Sequence, residues 1–207
     1  MWQLARKSYF LFALIVTIGV IGFSLKYFTP NFQKGFLIGK EDIFSYYQFA
    51  LYTHIVFAPI TILCALYQMV FTKSKFHLIT GKVYVFTVLF LAAPSGLIMS
   101  FYAIGGLTGI ILFSTLSILW FFYTLKSYVS IRNNDIVSHK KWAIGSFILA
   151  NSAILLRVNN LILHYIDHTE PVSNYLIAGF LSWVPFLIIH EILANIKKSH
   201  YFKNLVP

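Results

Sequence analysis

The sequence predicts an all-α polytopic integral membrane protein: a six-transmembrane-helix bundle with N- and C-termini cytoplasmic, residues 1–207 forming a single membrane domain. Three observations carry this prediction: the scarcity of charge, the spacing of the uncharged apolar runs, and a one-sided distribution of Lys and Arg. Of 207 residues, 58% are hydrophobic and only 11% are charged, with a mean hydropathy of +0.76. A soluble domain carries about a quarter charged residues. A surface this poor in charge faces lipid, so the bilayer is the first predicted partner.

Taken in order, the predicted spans are about 9–28, 48–72, 83–102, 107–129, 142–166 and 173–196. The first follows Arg6-Lys7 and ends at Lys26 to Pro30. It is longer than the hydrophobic region of a signal peptide and no A-x-A-like site follows, so it reads as an uncleaved span. The second lies between Asp42 and Lys73. From Val83 to Leu125 there are 43 residues without a charge, too many for one crossing. Gly105-Gly106 divides them with a tight turn. The fifth span is interrupted only by Arg157, and the sixth carries Glu191.

The cations set the orientation. Arg6, Lys7, Lys73, Lys75, Lys82, Lys126, Arg132, Lys140, Lys141, Lys197, Lys198 and Lys203, 12 in all, fall on one side, against 3 on the other, Lys26, Lys34 and Lys40. The richer side is read as cytoplasmic, in a bacterial inner membrane. This placement also accounts for the net charge of +10, so no nucleic acid partner is expected. Self-association or partner subunits in the membrane remain open. Cys64 is the single cysteine, which excludes disulfide frameworks and thiolate-rich metal sites. No Walker loop, G-x-S-x-G or paired-carboxylate pattern occurs, and the chain does not declare itself an enzyme.

Pro59, Pro94 and Pro185 lie inside spans, and each frees a backbone carbonyl four residues earlier. For Pro59 that carbonyl belongs to Ile55, beside His54. Tyr46, Tyr47, Tyr52, Tyr102, Trp120 and Trp142 fall near span ends, as an aromatic belt requires.

Ionisable groups inside a span are costly, at least ~2.5 kcal/mol for a central Arg, and usually face the bundle interior. His54 and Arg157 lie at matching depth, roughly 10–13 Å below the outer surface at 1.5 Å per residue. His164 is two turns beyond Arg157 on nearly the same face. These three form a candidate outer layer for cofactor binding, with Asn159 and Asn160 adding amides. Haem b would take an axial histidine there, and Arg157 would pair with a propionate or a quinone oxygen. A cytoplasmic layer comprises His77, His139, His190 and Glu191, with Gln68 at similar depth. His77 is expected just before helix 3 and His139 just before helix 5. Three histidines and a carboxylate suit a divalent metal, although no H-x-x-x-H spacing is present. His168 and His200 read as loop residues.

The stretch from the second to the fifth span resembles the bacterial membrane proteins catalogued as domain of unknown function 2306. The residues that carry the resemblance are His54, Pro59, Gln68, His77 to Tyr84, Ala93 to Leu97, Gly105-Gly106, Trp120, His139 to Trp142 and Arg157. They cover roughly 45–160. The resemblance implies a multi-pass membrane protein, makes His54, His77, His139 and Arg157 family positions, and names no substrate. Its usual His-Arg pairs are replaced by His77-Leu78 and His139-Lys140, and its arginine after the tryptophan by Gly145. An anion site built on those arginines would be weakened.

Three functional readings follow. The first is a redox or cofactor-binding protein holding haem b, a quinone or a metal. The second is a small anion or proton transporter or channel-like protein using Arg157 and the pair His190-Glu191. The third is a structural membrane subunit whose polar residues only hold helices together.

Overall fold

The computed structural model describes the backbone of residues 2–33, 37–71, 75–166 and 171–203, and side chains from 8 to 196 within these apart from Phe23. His168 and the His200 side chain lie outside them. Every regular element among the described residues is helical. Helix α1 is Trp2–Ser24, continued by a 3-10 turn Leu25–Phe28. Then come α2 Phe44–Val70, α3 His77–Ser100, α4 Gly106–Arg132, α5 Ile136–Ile166 and α6 Pro171–Lys203. All six contain a stretch long and apolar enough to cross a bilayer.

Successive helices alternate in direction, so the bundle has two ends. The ends of α2, α4 and α6 and the starts of α3 and α5 share the basic end. The outer connections share the far end. The principal packing partners are neighbours in sequence, with α2 also touching α5 and α4 touching α6. One core joins α2 to α6 through Ala65, Val88, Ala92, Trp120, Tyr123, Leu149, Trp183 and Leu187. Ala13 of α1 packs on Ile62, Leu66 and Ile154. Leu37, Tyr47 and Leu51 close the far end. The outward faces carry exposed Phe86, Phe90, Ile111, Ile118 and Ile188, which only lipid can cover favourably.

The helices outlast the apolar runs. Residues His77, Lys82, Lys126, Arg132, His139, Lys140 and Lys141, expected in or beside loops, lie on the helical turns at the basic end. His77 and His139 therefore do not precede their helices; they belong to the first turns. Apolar patterning marks only the part of a helix inside hydrocarbon, while long cationic side chains extend to the headgroups. The Gly105-Gly106 turn is present, with φ values of 95° and 58° that favour glycine. A second turn, Asn133 to Asp135, joins α4 to α5, and the Asp135 carboxylate accepts the Ser138 N–H at 2.9 Å as a helix cap.

Two aromatic expectations fail. Tyr47 is 1% and Trp120 7% exposed, so both belong to the interior and not to a belt. Each has a polar atom, but a ring that fills a gap between helices is more stable there than at the interface. Tyr46 and Tyr102 are exposed, as a belt requires.

Helix α3 is not uniform. His77–Thr87 is α-helical, Val88–Ala92 is a π turn, and Ala93–Ser100 is α-helical again. Pro94 directly follows the wide turn and cannot donate a backbone hydrogen bond. A π turn at that point absorbs the missing bond without breaking the helix.

Candidate functional site

The far-end layer is built on the π turn. The ring of His54 on α2 lies against α3, where its Nδ1–H donates to the Ala92 carbonyl at 3.0 Å and approaches Ser95 Oγ at 3.3 Å. A carbonyl only accepts, so Nδ1 carries the proton and the neutral ring leaves Nε2 as a lone pair. The Ile55 carbonyl freed by Pro59 is not the group His54 uses. Gly96 makes room for this ring, since a Cβ there would stand 3.1 Å from His54 Cε1 and 3.1 Å from Ser117 Oγ.

Arg157 donates Nη1–H to the Ala153 carbonyl of its own helix at 2.7 Å. It pairs with no carboxylate among the described residues. Its charge acts on His54 from α5, and it lies within electrostatic reach of Tyr27 and Tyr175. The layer thus gathers groups from α2, α5 and α6 and from the turn after α1. Asn159 and Asn160 are half-buried one turn or less from Arg157, and His164 is exposed near the end of α5. Tyr27 and Tyr175 are the residues sequence reasoning missed. Single tyrosines near span ends give no signal that separates them from a belt.

At the basic end the four expected ligands divide into two pairs. His190 Nε2–H donates to the Lys141 carbonyl at 3.0 Å. Glu191 accepts from Lys141 Nζ at 2.9 Å and from Tyr123 Oη at 2.7 Å. Lys141 Nζ also lies 4.8 Å from the centre of the Trp142 ring, and Trp142 meets Tyr123 edge-on at 5.1 Å. The carboxylate is therefore committed to α4 and α5.

The second pair is His77 and His139. His139 Nδ1–H donates to the Ser127 carbonyl at 2.9 Å and lies 3.1 Å from Ser127 Oγ. His77 Nδ1 is buried without a partner among the described residues. Gln68 does not face either pair. Its Nε2 donates to the His77 carbonyl and to Thr80 Oγ1 at 2.6 Å, with Gly81 leaving room for the amide. It clamps the start of α3. Among the described residues no three His, Cys, Asp or Glu side chains gather closely enough to hold a metal ion.

Between the layers runs a polar seam on α4. Trp120 Nε1–H donates to Tyr84 Oη at 3.0 Å, and Tyr84 Oη meets Ser146 Oγ at 2.6 Å. Thr124 Oγ1 meets Ser146 Oγ at 2.7 Å and donates to the Trp120 carbonyl at 2.8 Å. Trp120, Thr124 and Ser127 recur at helical spacing and face α3 and α5. Hydroxyls inside apolar runs carry no ionisable group, which is why the sequence did not single them out.

One habit is common to His54, His139 and His190. Each commits one ring nitrogen to a backbone carbonyl. Such a bond fixes tautomer and ring orientation and leaves the other nitrogen available as a ligand or proton acceptor.

Among known families, the model described as "Predicted membrane protein (DUF2306)" matches residues 51–194. No curated protein and no solved structure matches the chain.

Proposed function

Starting from the fact that this chain belongs to the DUF2306 family of predicted membrane proteins, we propose that its far-end layer binds a redox cofactor, haem b or a quinone. The observation that carries this reading is the pairing of a carbonyl-anchored His54, with Nε2 unprotonated, and an Arg157 guanidinium that meets no carboxylate among the described residues. An uncompensated cation in a bilayer is costly unless it meets an anion or a strong acceptor. A haem propionate or a reduced quinone oxygen is such a group, and the imidazole supplies an axial ligand or a hydrogen bond. Tyr27 and Tyr175 add hydroxyls near Arg157. In this reading the basic end is cytoplasmic, the membrane is the bacterial inner membrane, and His190 with Glu191 offers protonatable groups on the side from which protons are taken up.

The test is an absorption spectrum of the detergent-purified chain with quinone extraction. A Soret band, or about one quinone per chain, is expected and is lost in His54→Ala and Arg157→Ala. Neither band nor quinone in the unsubstituted protein sinks the reading. The same Arg157 favours a second reading, an anion or proton path. Proteoliposome flux would then fall in Arg157→Ala, and unchanged flux counts against it. A structural subunit would instead show only lowered stability in both variants.

A further inference from the structure

We infer that His77 and His139 form a transition-metal centre at the basic end, separate from the His54 layer and taking either a bare ion or the iron of a haem.

The argument begins with register. Helices α3 and α5 run in the same direction, from the basic end to the far end. They are pinned to each other where Tyr84 Oη meets Ser146 Oγ at 2.6 Å. His77 stands seven residues before Tyr84, and His139 seven residues before Ser146. Seven residues are close to two turns, so each histidine lies on nearly the same face, about 10 Å nearer the basic end. Two parallel helices joined at one level therefore carry their histidines at a shared level nearer the basic end.

Helix α4 fixes the level of Tyr84, Ser146 and His139 along one face. Trp120 bonds Tyr84, Thr124 bonds Ser146, and Ser127 bonds His139, one step after another.

The nitrogens are also prepared. His139 is fixed through Nδ1 to the Ser127 carbonyl, which leaves Nε2. The buried Nδ1 of His77 has no hydrogen-bond partner among the described residues. A buried acceptor without a partner is destabilising. A metal ion removes that cost, because neutral imidazole is a good ligand for first-row transition metals. Carbonyl bonds to the opposite ring nitrogens are the usual support of metal-bound histidine. Glu191 is excluded from the set by its commitment to Lys141 and Tyr123.

The experiment uses the full chain, purified without added histidines. Elemental analysis and an absorption spectrum come first, followed by Cu2+ titration of the metal-free protein with paramagnetic resonance. The expected result is one Cu2+ per chain showing two imidazole nitrogens. A Soret band with stoichiometric iron that survives His54→Gln and is lost in His77→Gln and His139→Gln assigns haem; a transition metal without such a band assigns the bare ion. His77→Gln and His139→Gln should each weaken Cu2+ binding by ~100-fold or more, since loss of an outer partner alone costs ~10–100-fold. Ser127→Ala, a milder change, should weaken it while preserving two nitrogens. His54→Gln should leave it unchanged and remove only the far-end cofactor, so the two sites fail independently. Cu2+ binding that survives both glutamine variants, or no binding at all, overturns the inference.

Discussion

Gly145 of α5 lies beneath the ring of Tyr123 of α4: a Cβ at 145 would come within 2.2 Å of Tyr123 Cδ1. The tyrosine occupies the volume that a side chain at 145 would need, and from there its hydroxyl reaches Glu191. Gly145→Ala should destabilise the bundle by about 1–3 kcal/mol through overpacking. Tyr123→Ala in the same chain should relieve the strain. Unfolding midpoints of the two single variants and the double variant give the cycle; simple additivity would contradict the contact.

Tyr84 joins three helices through one oxygen. Removing it leaves the Trp120 indole N–H without an acceptor in a buried site. Tyr84→Phe should therefore cost about 1–3 kcal/mol despite preserving the ring. Thermal unfolding in detergent measures this, and an unchanged midpoint would show that the hydrogen bonds carry no net stability.

The Lys141–Glu191 pair predicts a much smaller effect. Both side chains are about 30% exposed at the basic end (29% and 30%). Screening and side-chain entropy limit such a pair to about 0–1 kcal/mol. Glu191→Gln keeps an acceptor for Tyr123 and should shift stability by no more than this amount, with a salt dependence weaker than in the parent chain.

Lys40 supplies a pH dependence outside the membrane-spanning segments. It is 4% exposed, and its ammonium group lies 5.7 Å from the centre of the Tyr47 ring. Burial pushes its pKa below the usual lysine value. The folded chain therefore binds fewer protons here than the unfolded one between the lowered pKa and the ordinary value. Stability should rise with pH across that interval. Lys40→Met should remove this alkaline gain, visible as a smaller difference between unfolding midpoints at pH 8 and pH 10. Asp135 acts in the opposite range. Its bonds to Ser138 hold the carboxylate below its ordinary pKa, and the cap is lost as acid protonates it.

The six spans were legible because hydrocarbon imposes length and charge limits that act on each segment separately. The depth match of His54 and Arg157 was legible for the same reason: depth follows from counting along one helix. What was not legible depends on rotation. Nothing in composition says that Glu191 turns toward Lys141 and Tyr123 and away from His77. Gln68 has the right depth for the metal set and the wrong partner, the His77 backbone. Trp120 was assigned by its place near a span end, yet α4 continues to Arg132 and carries it into the core. Tyr84, Thr124 and Ser146 escaped notice because uncharged hydroxyls do not disturb hydropathy.

The π turn at Val88–Ala92 sets the phase of α3. One additional residue in a helical turn offsets everything beyond it by about 100° relative to an unbroken α-helix. The segment that bonds His54 and the segment that bonds Trp120 and Ser146 are therefore aimed independently, on one continuous rod. Deleting a single residue from this turn would leave a smooth helix of nearly the same length and hydropathy. It would also rotate one layer out of alignment with the other, so that a chain still fit to insert in the membrane could keep only one of its two histidine sites in register.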